Sequence, residues 1–337
     1  MMKLSVTLTV DLAINLATTL AFAAFTALVT VPAQAQNQTY PDKPIRIVVP
    51  YTAGGATDAV TRLLTDNITR TTQWAFLVDN KPGGNGNIGL DLVAKAKPDG
   101  YTLGMGQTAN LAINPALFTK MPYDALKDLV PVALVAKQPV VMVVGMHSPW
   151  KTFADAVTAA KTHPGEIKQA LAGTGTLGHL AGEMLARKAG LKLLNIPYKG
   201  ASPALTDLIG GQTDFMFGTP QAVLSLIKGG KLRALAVTSS KRLTVLPDVP
   251  TVAESGYKGF EAVDWKALVA PAGTPPALVK QLNAAVEKAL SRPAALAQLL
   301  AEGSAPMSGT AAQAAQFIQM EHTRWGTVVR EAEIKPD

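Results

Sequence analysis

The sequence predicts an α/β protein made of doubly wound units, and three observations support this. Short apolar runs alternate with amphipathic segments, the runs are apolar on both faces, and the order strand, turn, helix repeats. Such runs are typical of mainly parallel strands covered by helices on both sides. The predicted strands are IRIVV (45–49), AFLVDN (75–80), YTLGMG (101–106), PVALVA (131–136), PVVMVVG (139–145), LKLLNIPY (191–198), TDFMFG (213–218) and LRALAVT (232–238).

The segments between these runs predict the helices. The first helix continues to about Thr71 and the second ends near Ala96. Apolar residues at helical spacing predict a late helix over 278–290. Further helices are predicted over 152–163, 202–209 and 220–228. A chain of 337 residues is long enough for two domains.

The N-terminal segment predicts export. Lys3 precedes an apolar stretch that is densest at 20–31, and Ala33-Gln34-Ala35 supplies small residues for cleavage. This pattern predicts a secretory signal peptide over 1–35. The alternative is a membrane anchor, but polar residues such as Asp11 interrupt the apolar run before it reaches the ~18 residues of a span. We therefore expect an exported, soluble mature chain.

The composition excludes some classes of function. The chain has no cysteine, so neither disulfides nor thiolate–metal sites hold it together. Its formal charge is +7, from 31 Lys and Arg residues against 24 Asp and Glu residues. The basic residues are scattered and lack stacking aromatic neighbours, so the sequence makes a weak case for nucleic-acid binding. We expect a solvated basic surface and no nucleic-acid partner.

Three glycine-rich turns stand at predicted strand ends: Ala53-Gly54-Gly55, 83–89 and 173–178. In open α/β sheets ligands bind beyond the carboxyl ends of the strands. Each turn opens a helix, whose first N–H groups and positive dipole end suit an anion. These backbone amides are therefore predicted to hold a carboxylate or a phosphate.

Two of these turns match the dinucleotide pattern G-x-G-x-x-G, at 84–89 and 173–178. A nicotinamide site also needs an acid at the end of the next strand. Those strands end at 103–106 and 197–199, and neither stretch contains Asp or Glu. The chain also lacks a P-loop and a G-x-S-x-G elbow. We expect no cofactor and no metal.

His179 and Asp58 each have a structural alternative to ligand contact. His179 follows the third glycine-rich turn, where it could meet a ligand or bond to neighbouring backbone at the helix start. Asp58 could meet a ligand or accept N–H bonds in the first helical turn. A carboxylate facing the cavity would repel an anion.

A series of motifs lies in order over nearly the whole mature chain, from about Tyr40 to Lys335. They are YPDKPIRIVVPYTAGGATD, NKPGGNGNIG, AKAKPDGYTL, GTLGHLAGE, IPYKGASPALTDLIGGQTDFMF, GKLRALAVTSSKR, LPDVPTVAESG and APAGTP. In these stretches the chain resembles the Bug family, the TctC-like solute-binding proteins of tripartite tricarboxylate transporters, and their order and number make the resemblance specific.

The resemblance implies a type II periplasmic-binding-protein-like fold, a Venus flytrap with a ligand cleft between two lobes. Lobe 1 would comprise 36–138 plus 262–337, and lobe 2 would comprise 139–261, with the strands near 131–144 and 262–270 crossing between them. Family members capture small carboxylates: di- or tricarboxylic acids, amino acids or aromatic acids. The implied partners are a membrane permease or a sensor kinase. We expect a periplasmic monomer.

The resemblance also implies the site. In the family, loops matching 51–58 and 83–89 hold a ligand carboxylate through backbone N–H groups and ordered water, and stretches matching 172–179, 198–200 and 214–220 contribute from the second lobe. The candidate ligand-binding residues are Tyr51, Thr52, Ala53, Gly54, Gly55, Asp58, Gly84, Asn85, Gly86, Gly89, Gln107, Thr108, Thr174, Gly175, Thr176, His179, Tyr198, Lys199, Asp214 and Thr219.

Within the second lobe, Thr174, Thr176 and His179 are expected to select the distal end of the ligand. Tyr198 and Asp214 are expected either to face the cleft or to hydrogen-bond to each other.

This chain departs from the family pattern at two places. It has Ala172-Gly173-Thr174-Gly175 where the family often has Ser-Gly-Asn-Gly, and Gly218-Thr219 where Asp-Asn is common. Losing polar side chains there predicts a less polar or bulkier distal group on the ligand. Ligand identity is therefore not carried over from the family.

A second class of function stays open on the sequence. A secreted hydrolase could use the same cleft, with Ser202 as nucleophile and His179 as base. No triad pattern supports this pair, so the sequence favours a binding protein that is not an enzyme.

Overall fold

The fold is built from eleven strands, which form two sheets in a computed structural model that describes residues 40–332 and 334. The predicted signal peptide lies outside these residues. The strands are β1 (Ile45–Val49), β2 (Phe76–Asn80), β3 (Thr102–Gln107), β4 (Leu129–Pro139), β5 (Val141–Gly145), β6 (Lys168–Leu171), β7 (Leu194–Pro197), β8 (Phe215–Gly218), β9 (Leu232–Val237), β10 (Val263–Pro271) and β11 (Ala305–Pro306).

Ten α-helices cover the sheets within the described residues. A 3₁₀ turn at Gly84–Gly86 and a π-helix at Ala109–Ile113 occur among them. The α-helices are α1 (Ala56–Thr72), α2 (Asn87–Ala94), α3 (Asn114–Leu117), α4 (Phe153–Thr162), α5 (Leu177–Ala189), α6 (Ala201–Ile209), α7 (Pro220–Lys228), α8 (Pro276–Leu290), α9 (Pro293–Ala301) and α10 (Ala311–Glu331). No helix in the described part of the chain is long and apolar enough to cross a membrane.

The strand order places the glycine-rich turns on both sheets. The first sheet runs β11-β4-β10-β3-β1-β2, and the second runs β7-β6-β8-β5-β9. β1 is parallel to β2 and β3, and β6 is parallel to β7 and β8. The carboxyl ends of these parallel strands carry the glycine-rich turns.

The expectation of mainly parallel sheets is wrong, because both sheets are mixed. β10 is antiparallel to β3 and β4, and β5 is antiparallel to β8 and β9. An apolar run buried on both faces is equally suited to a central antiparallel strand, so the pattern alone does not fix strand direction.

Local sequence explains where several helices begin. Thr152 and Thr310 cap α4 and α10, each exchanging hydrogen bonds with the third residue of its helix. Proline occupies the first position of α7, α8 and α9, where its missing N–H costs nothing.

The C-terminal helix α10, which the sequence did not predict, is fixed on the first sheet by a buried carboxylate. Glu321 accepts hydrogen bonds from the indole N–H groups of Trp265 and Trp325, both at 2.8 Å. Both indoles are fully buried. The described residues from Lys43 onward form one compact unit.

Candidate functional site

A cavity of about 160 Å³ lies where the strand ends of both sheets meet. It is lined by residues that follow β1, β3, β6 and β8 and by residues of the segments joining the sheets. Its lining residues are Tyr51, Asn85, Gln107, Ala109, Val140, Ala172, Thr176, Leu177, Gly178, Ala201, Met216, Phe217, Gly218, Thr219 and Asp264. Five candidates from the sequence therefore share one cavity: Tyr51, Asn85, Gln107, Thr176 and Thr219.

Tyr51 is the residue that joins the first two loops. Its hydroxyl donates to the carbonyl oxygen of Asn85 at 3.2 Å and accepts from Asn110 Nδ2 at 3.3 Å. Burial, and after it the charge of Asp264, raises the pKa of Tyr51 well above its ordinary value. The phenol is therefore neutral at physiological pH and can serve as a hydrogen-bond donor.

Gly86 is required by this arrangement. Its φ is +90°, and a Cβ there would lie 2.6 Å from Asn110 Nδ2 and 2.7 Å from the Tyr51 hydroxyl. Any other residue would push the phenol out of the turn.

Buried asparagine side chains hold the second glycine-rich loop, residues 83–89, by hydrogen bonds. Asn114 Nδ2 donates to the carbonyl oxygen of Asn85 at 3.1 Å and to Asn87 Oδ1 at 2.7 Å. Tyr123 donates to the carbonyl oxygen of Asn110 at 2.7 Å. This network was not predicted from the sequence. Asn110 lies within the π-helix and Asn114 directly follows it, and this rare element is frequent at functional sites.

Asp58 holds the first loop closed. Its carboxylate accepts from the Gly54 amide and from Arg62 Nε, both at 2.9 Å, and from Asn80 Nδ2 at 3.0 Å. The side chain is 4% exposed and does not line the cavity. Of the two roles considered, the structure shows the one in which Asp58 accepts backbone and side-chain bonds at the helix start.

The amides of the two loops divide into engaged and open donors. In the first loop, Gly54 donates to Asp58 and Gly55 donates to the Thr52 carbonyl at 3.4 Å. In the described part of the chain, the amides of Ala53 and Ala56 have no acceptor.

In the second loop, the amides of Gly86 and Ile88 donate to the Gly83 carbonyl. Those of Gly84 and Asn85 have no acceptor among residues 40–332 and 334. Gly89 is a packing residue, since a Cβ there would lie 2.7 Å from the Pro50 side chain.

Gln107 and Thr108 end β3 with different roles. Gln107 lines the cavity and accepts a short hydrogen bond from the Thr57 hydroxyl. Thr108 is fully buried, and its hydroxyl accepts from the Trp265 amide at 2.8 Å, so it fixes β10 instead of reaching the cavity.

On the second sheet, Thr176 reaches the cavity and His179 does not. The Thr176 hydroxyl donates to the Gly173 carbonyl at 2.8 Å. His179 is buried; Nδ1 accepts from the Gly175 amide at 3.1 Å, and Nε2 lies 3.3 Å from Asn195 Nδ2. Of the two roles considered for His179, the structure shows the helix-start role, in which it is bonded to neighbouring backbone.

Gly175 and Thr174, in the third glycine-rich turn, do not line the cavity. Gly175 packs against the first half of the molecule, since a Cβ there would lie 2.3 Å from Leu117 Cδ2. Thr174 is half-buried and does not line the cavity.

The expected neighbours Tyr198 and Asp214 lie apart. Tyr198 follows β7, and its hydroxyl donates to Asp207 Oδ2 at 2.7 Å; burial and this contact raise the pKa of Tyr198 to about 12. Asp214 precedes β8 and accepts from the Lys168 amide at 2.7 Å. Because β6, β7 and β8 are parallel, the start of β8 is at the opposite edge from the cavity. Lys199 is exposed and does not line it either.

Sequence reasoning missed two features of the cavity. One is its apolar wall, which includes Leu177, Met216 and Phe217. The other is Asp264, which pairs with Lys266 Nζ at 2.9 Å inside the buried strand β10. Two charged residues at alternate positions of an otherwise apolar strand were a signal that could have been used.

A larger cavity of about 390 Å³ lies elsewhere, beside the segments that join the sheets. Its lining comes mainly from 137–139, 239–244 and 300–305, and it contains none of the candidate residues. It does not lie at the carboxyl ends of the parallel strands, where α/β proteins bind ligands.

The hydrolase alternative finds no support in the geometry. Ser202 is exposed in the first turn of α6, and no hydrogen bond joins it to His179 in the described residues. Both ring nitrogens of His179 already have neighbours, which leaves no base directed at Ser202.

Known proteins resemble the chain over nearly its whole length. The sequence model of the tripartite tricarboxylate transporter family receptor, TctC, matches residues 60–334. Protein BugT of Bordetella pertussis strain Tohama I is 38% identical over 312 residues, which are 92% of this chain and 96% of BugT.

Two solved structures share the fold. R. palustris Rpa4515 with adipate has a TM-score of 0.82 and 33% identity, covering 88% of this chain and all of that one. MatC from Rhodopseudomonas palustris with bound malate has a TM-score of 0.76 and 33% identity, covering 86% of this chain and all of MatC. The implied fold, a type II periplasmic-binding-protein-like fold with two α/β lobes, is thereby confirmed. The chain belongs to the TctC family of tripartite tricarboxylate transporter receptors, the Bug proteins, which are periplasmic solute-binding proteins.

Proposed function

We propose that this chain is a periplasmic solute-binding protein that captures a small carboxylate in the cavity between its two sheets. The observation that carries the proposal is that residues following β1, β3, β6 and β8 converge on one cavity in a member of this receptor family. Two related structures hold adipate and malate, both carboxylates. The chain would bind its ligand without chemical change.

The open amides are the proposed carboxylate donors. Ala53, Ala56, Gly84 and Asn85 carry N–H groups without acceptors in the described part of the chain. Ala56 begins α1, Gly84 begins the 3₁₀ turn, and Asn85 lines the cavity. Helix N-termini attract anions through such groups and through the helix dipole. Tyr51 and Gln107 would orient the bound group from the cavity wall.

The finer parts of the function follow from the family. The mature chain, exported by the signal peptide over 1–35, would act as a monomer and deliver its ligand to a tripartite-type permease or a sensor kinase. Lobe 1 would comprise 36–138 plus 262–337 and lobe 2 would comprise 139–261. The first sheet takes its strands from 45–139 and 263–306, and the second from 141–237, which supports these bounds.

A thermal-shift screen of the mature chain tests the proposal. Each carboxylic acid is paired with its neutral amide, which keeps the carbon skeleton and removes the charge. A ligand that binds only the native state at 100 times its Kd adds about 2.7 kcal/mol of stability, so a true ligand raises the melting temperature. The proposal fails if no acid raises it, or if acids and amides act equally.

The enzyme alternative has its own readout. An acid found in the screen is incubated with stoichiometric protein and then analysed by chromatography. Unchanged ligand bound at one equivalent is expected. Turnover of the acid or of its ester would establish a hydrolase instead.

A further inference from the structure

Asp264 and Lys266 form a buried ion pair on the wall of the cavity. Lys266 Nζ lies 2.9 Å from Asp264 Oδ2, and Lys266 is only 1% exposed. Because the two residues are at alternate positions of β10, their side chains are on the same face of the strand. Asp264 lines the cavity, while Lys266 lies behind it.

The pair leaves one carboxylate oxygen open. Asp264 Oδ2 accepts from Lys266, whereas Oδ1 accepts no hydrogen bond from any residue in 40–332 and 334. Asp264 Oδ1 is not among the fully buried polar atoms that lack a hydrogen-bond partner, so this oxygen is accessible to solvent. A carboxylate keeps acceptor capacity on both oxygens, and an open one at a cavity wall suits a donor on the ligand.

A carboxylate at this wall would interact differently with different ligands. A second carboxylate of a ligand brought against Asp264 would face a like charge with little water to screen it, because Asp264 is 7% exposed. An ammonium group there would gain a charge-assisted hydrogen bond. The remaining wall is apolar, with Leu177, Met216 and Phe217 suited to an aliphatic or aromatic body.

We propose that Asp264, held by Lys266, makes this receptor select a zwitterionic amino acid with an apolar body over a dicarboxylate. The inference rests on the proposed carboxylate-binding function. The ligand's carboxylate would meet the open amides, and its ammonium group would donate to Asp264 Oδ1. Asp264 is thereby a specificity-determining residue.

Calorimetry on the mature chain tests this with matched ligands. At each chain length from four to six carbons, three ligands are compared: the monocarboxylate, the 2-amino acid and the dicarboxylate. The series runs from butanoate, 2-aminobutanoate and succinate to hexanoate, 2-aminohexanoate and adipate. The 2-amino acid is expected to bind at least tenfold more tightly than the other two at the best length, a difference of about 1.4 kcal/mol.

A double variant locates the preference. The double variant Asp264→Asn with Lys266→Met removes both charges together. A single substitution would instead leave the other charge buried without a partner. In this variant the affinity for the 2-amino acid is expected to exceed that for the monocarboxylate and the dicarboxylate by twofold or less. The control pair Asp91→Asn with Lys95→Met removes an ion pair on the surface of α2 and should keep the preference of the parent.

The outcomes separate the two proposals. If plain acids or dicarboxylates bind the parent as tightly as amino acids, the role of Asp264 is overturned and carboxylate binding stands. If no ligand of the series binds and the wider screen also finds none, both proposals fall. The ranking in the parent decides the question even if the double variant does not fold, which circular dichroism checks.

Discussion

The Thr238 hydroxyl donates a hydrogen bond to the carbonyl oxygen of Ala262 over 2.6 Å. The same hydroxyl accepts from the Val140 amide at 2.9 Å, and Thr238 is fully buried. Val140 lies between β4 and β5, and Ala262 directly precedes β10. One side chain therefore ties together both segments by which the chain passes between the sheets.

Replacing this hydroxyl should weaken the whole fold. Thr238→Val keeps the shape but leaves the buried Val140 N–H without its acceptor, which costs about 1–3 kcal/mol. Urea unfolding measures the free energy of unfolding. Thr323→Val, at an exposed helical threonine, is the matched control and should change it by less than about 0.5 kcal/mol. If both variants change the free energy of unfolding by the same amount, the hydrogen bonds of Thr238 do not stabilise the fold more than those of an exposed threonine.

The two joining segments should act as a hinge. A ligand bound between the lobes would stabilise a closed arrangement, in which both lobes contact it. Small-angle scattering with a ligand from the screen is expected to show a smaller radius of gyration at saturation. A radius that stays the same at saturating ligand, confirmed by calorimetry, contradicts closure.

Asp58 should make stability depend on pH. Burial alone would raise the pKa of this carboxyl, but hydrogen bonds from Arg62, the Gly54 amide and Asn80 outweigh it and lower the pKa. A group with a lowered native pKa stabilises the fold above its unfolded pKa of about 3.9 and loses that contribution as pH falls through the native pKa.

Asp58→Asn is therefore expected to cost about 1–3 kcal/mol at pH 7. The difference from the parent should shrink as pH falls below about 4. Unfolding curves at pH 7 and pH 3 measure it. Asp66→Asn, at an exposed position of the same helix, is the control. A cost for Asp58→Asn that is the same at both pH values would rule out the ionised carboxylate as its source.

The sequence predicted some elements well and others poorly, for physical reasons. Residues 45–49 form β1 as predicted, because a short run rich in β-branched apolar residues indicates a buried strand. β6 was missed, since it has four residues and begins with Lys168 and Gln169. The directions of β5 and β10 depend on how the chain passes between sheets, which local pattern does not contain.

The residues that line the cavity were predictable only where they come directly after the ends of strands. Tyr51 and Thr219 line it because they come one or two residues after the ends of β1 and β8. Asp214 comes directly before β8, so it lies at the amino end of this strand, away from the cavity. Asp264 reaches the wall through the pairing of β10 with β4, a long-range register that no motif reports.

Close backbone approach at the first loop gives a direct test of the carboxylate position. Gly55 has φ −77°, which any residue adopts, and a Cβ there would lie 3.4 Å from the Thr52 carbonyl oxygen. Gly55→Val should therefore fold, yet its branched side chain would hold the ligand away from the Ala53 and Ala56 amides. We expect binding at least tenfold weaker, or about 1.4 kcal/mol.

Gly210→Val is the control for that variant, because Gly210 also has φ −77° and follows the far end of α6. Calorimetry compares both variants with the parent. Unweakened binding in a well-folded Gly55→Val variant would place the carboxylate elsewhere.

The second sheet should decide which ligands are preferred. Thr176 lines the cavity directly before α5, and its hydroxyl donates to the Gly173 carbonyl at 2.8 Å. Thr176→Val keeps the shape but removes a hydroxyl oxygen that can still accept a hydrogen bond from the distal end of a ligand. Buried polar groups reject ligands that leave them unpaired, so losing one should change the order of affinities. Thr174→Val, two residues away and outside the cavity lining, should preserve that order. Melting temperatures across the full acid panel measure it for parent and variants. If Thr176→Val lowers every affinity by the same factor, the residue supports the lobe or its closure, and the distal end of the ligand is selected by other residues.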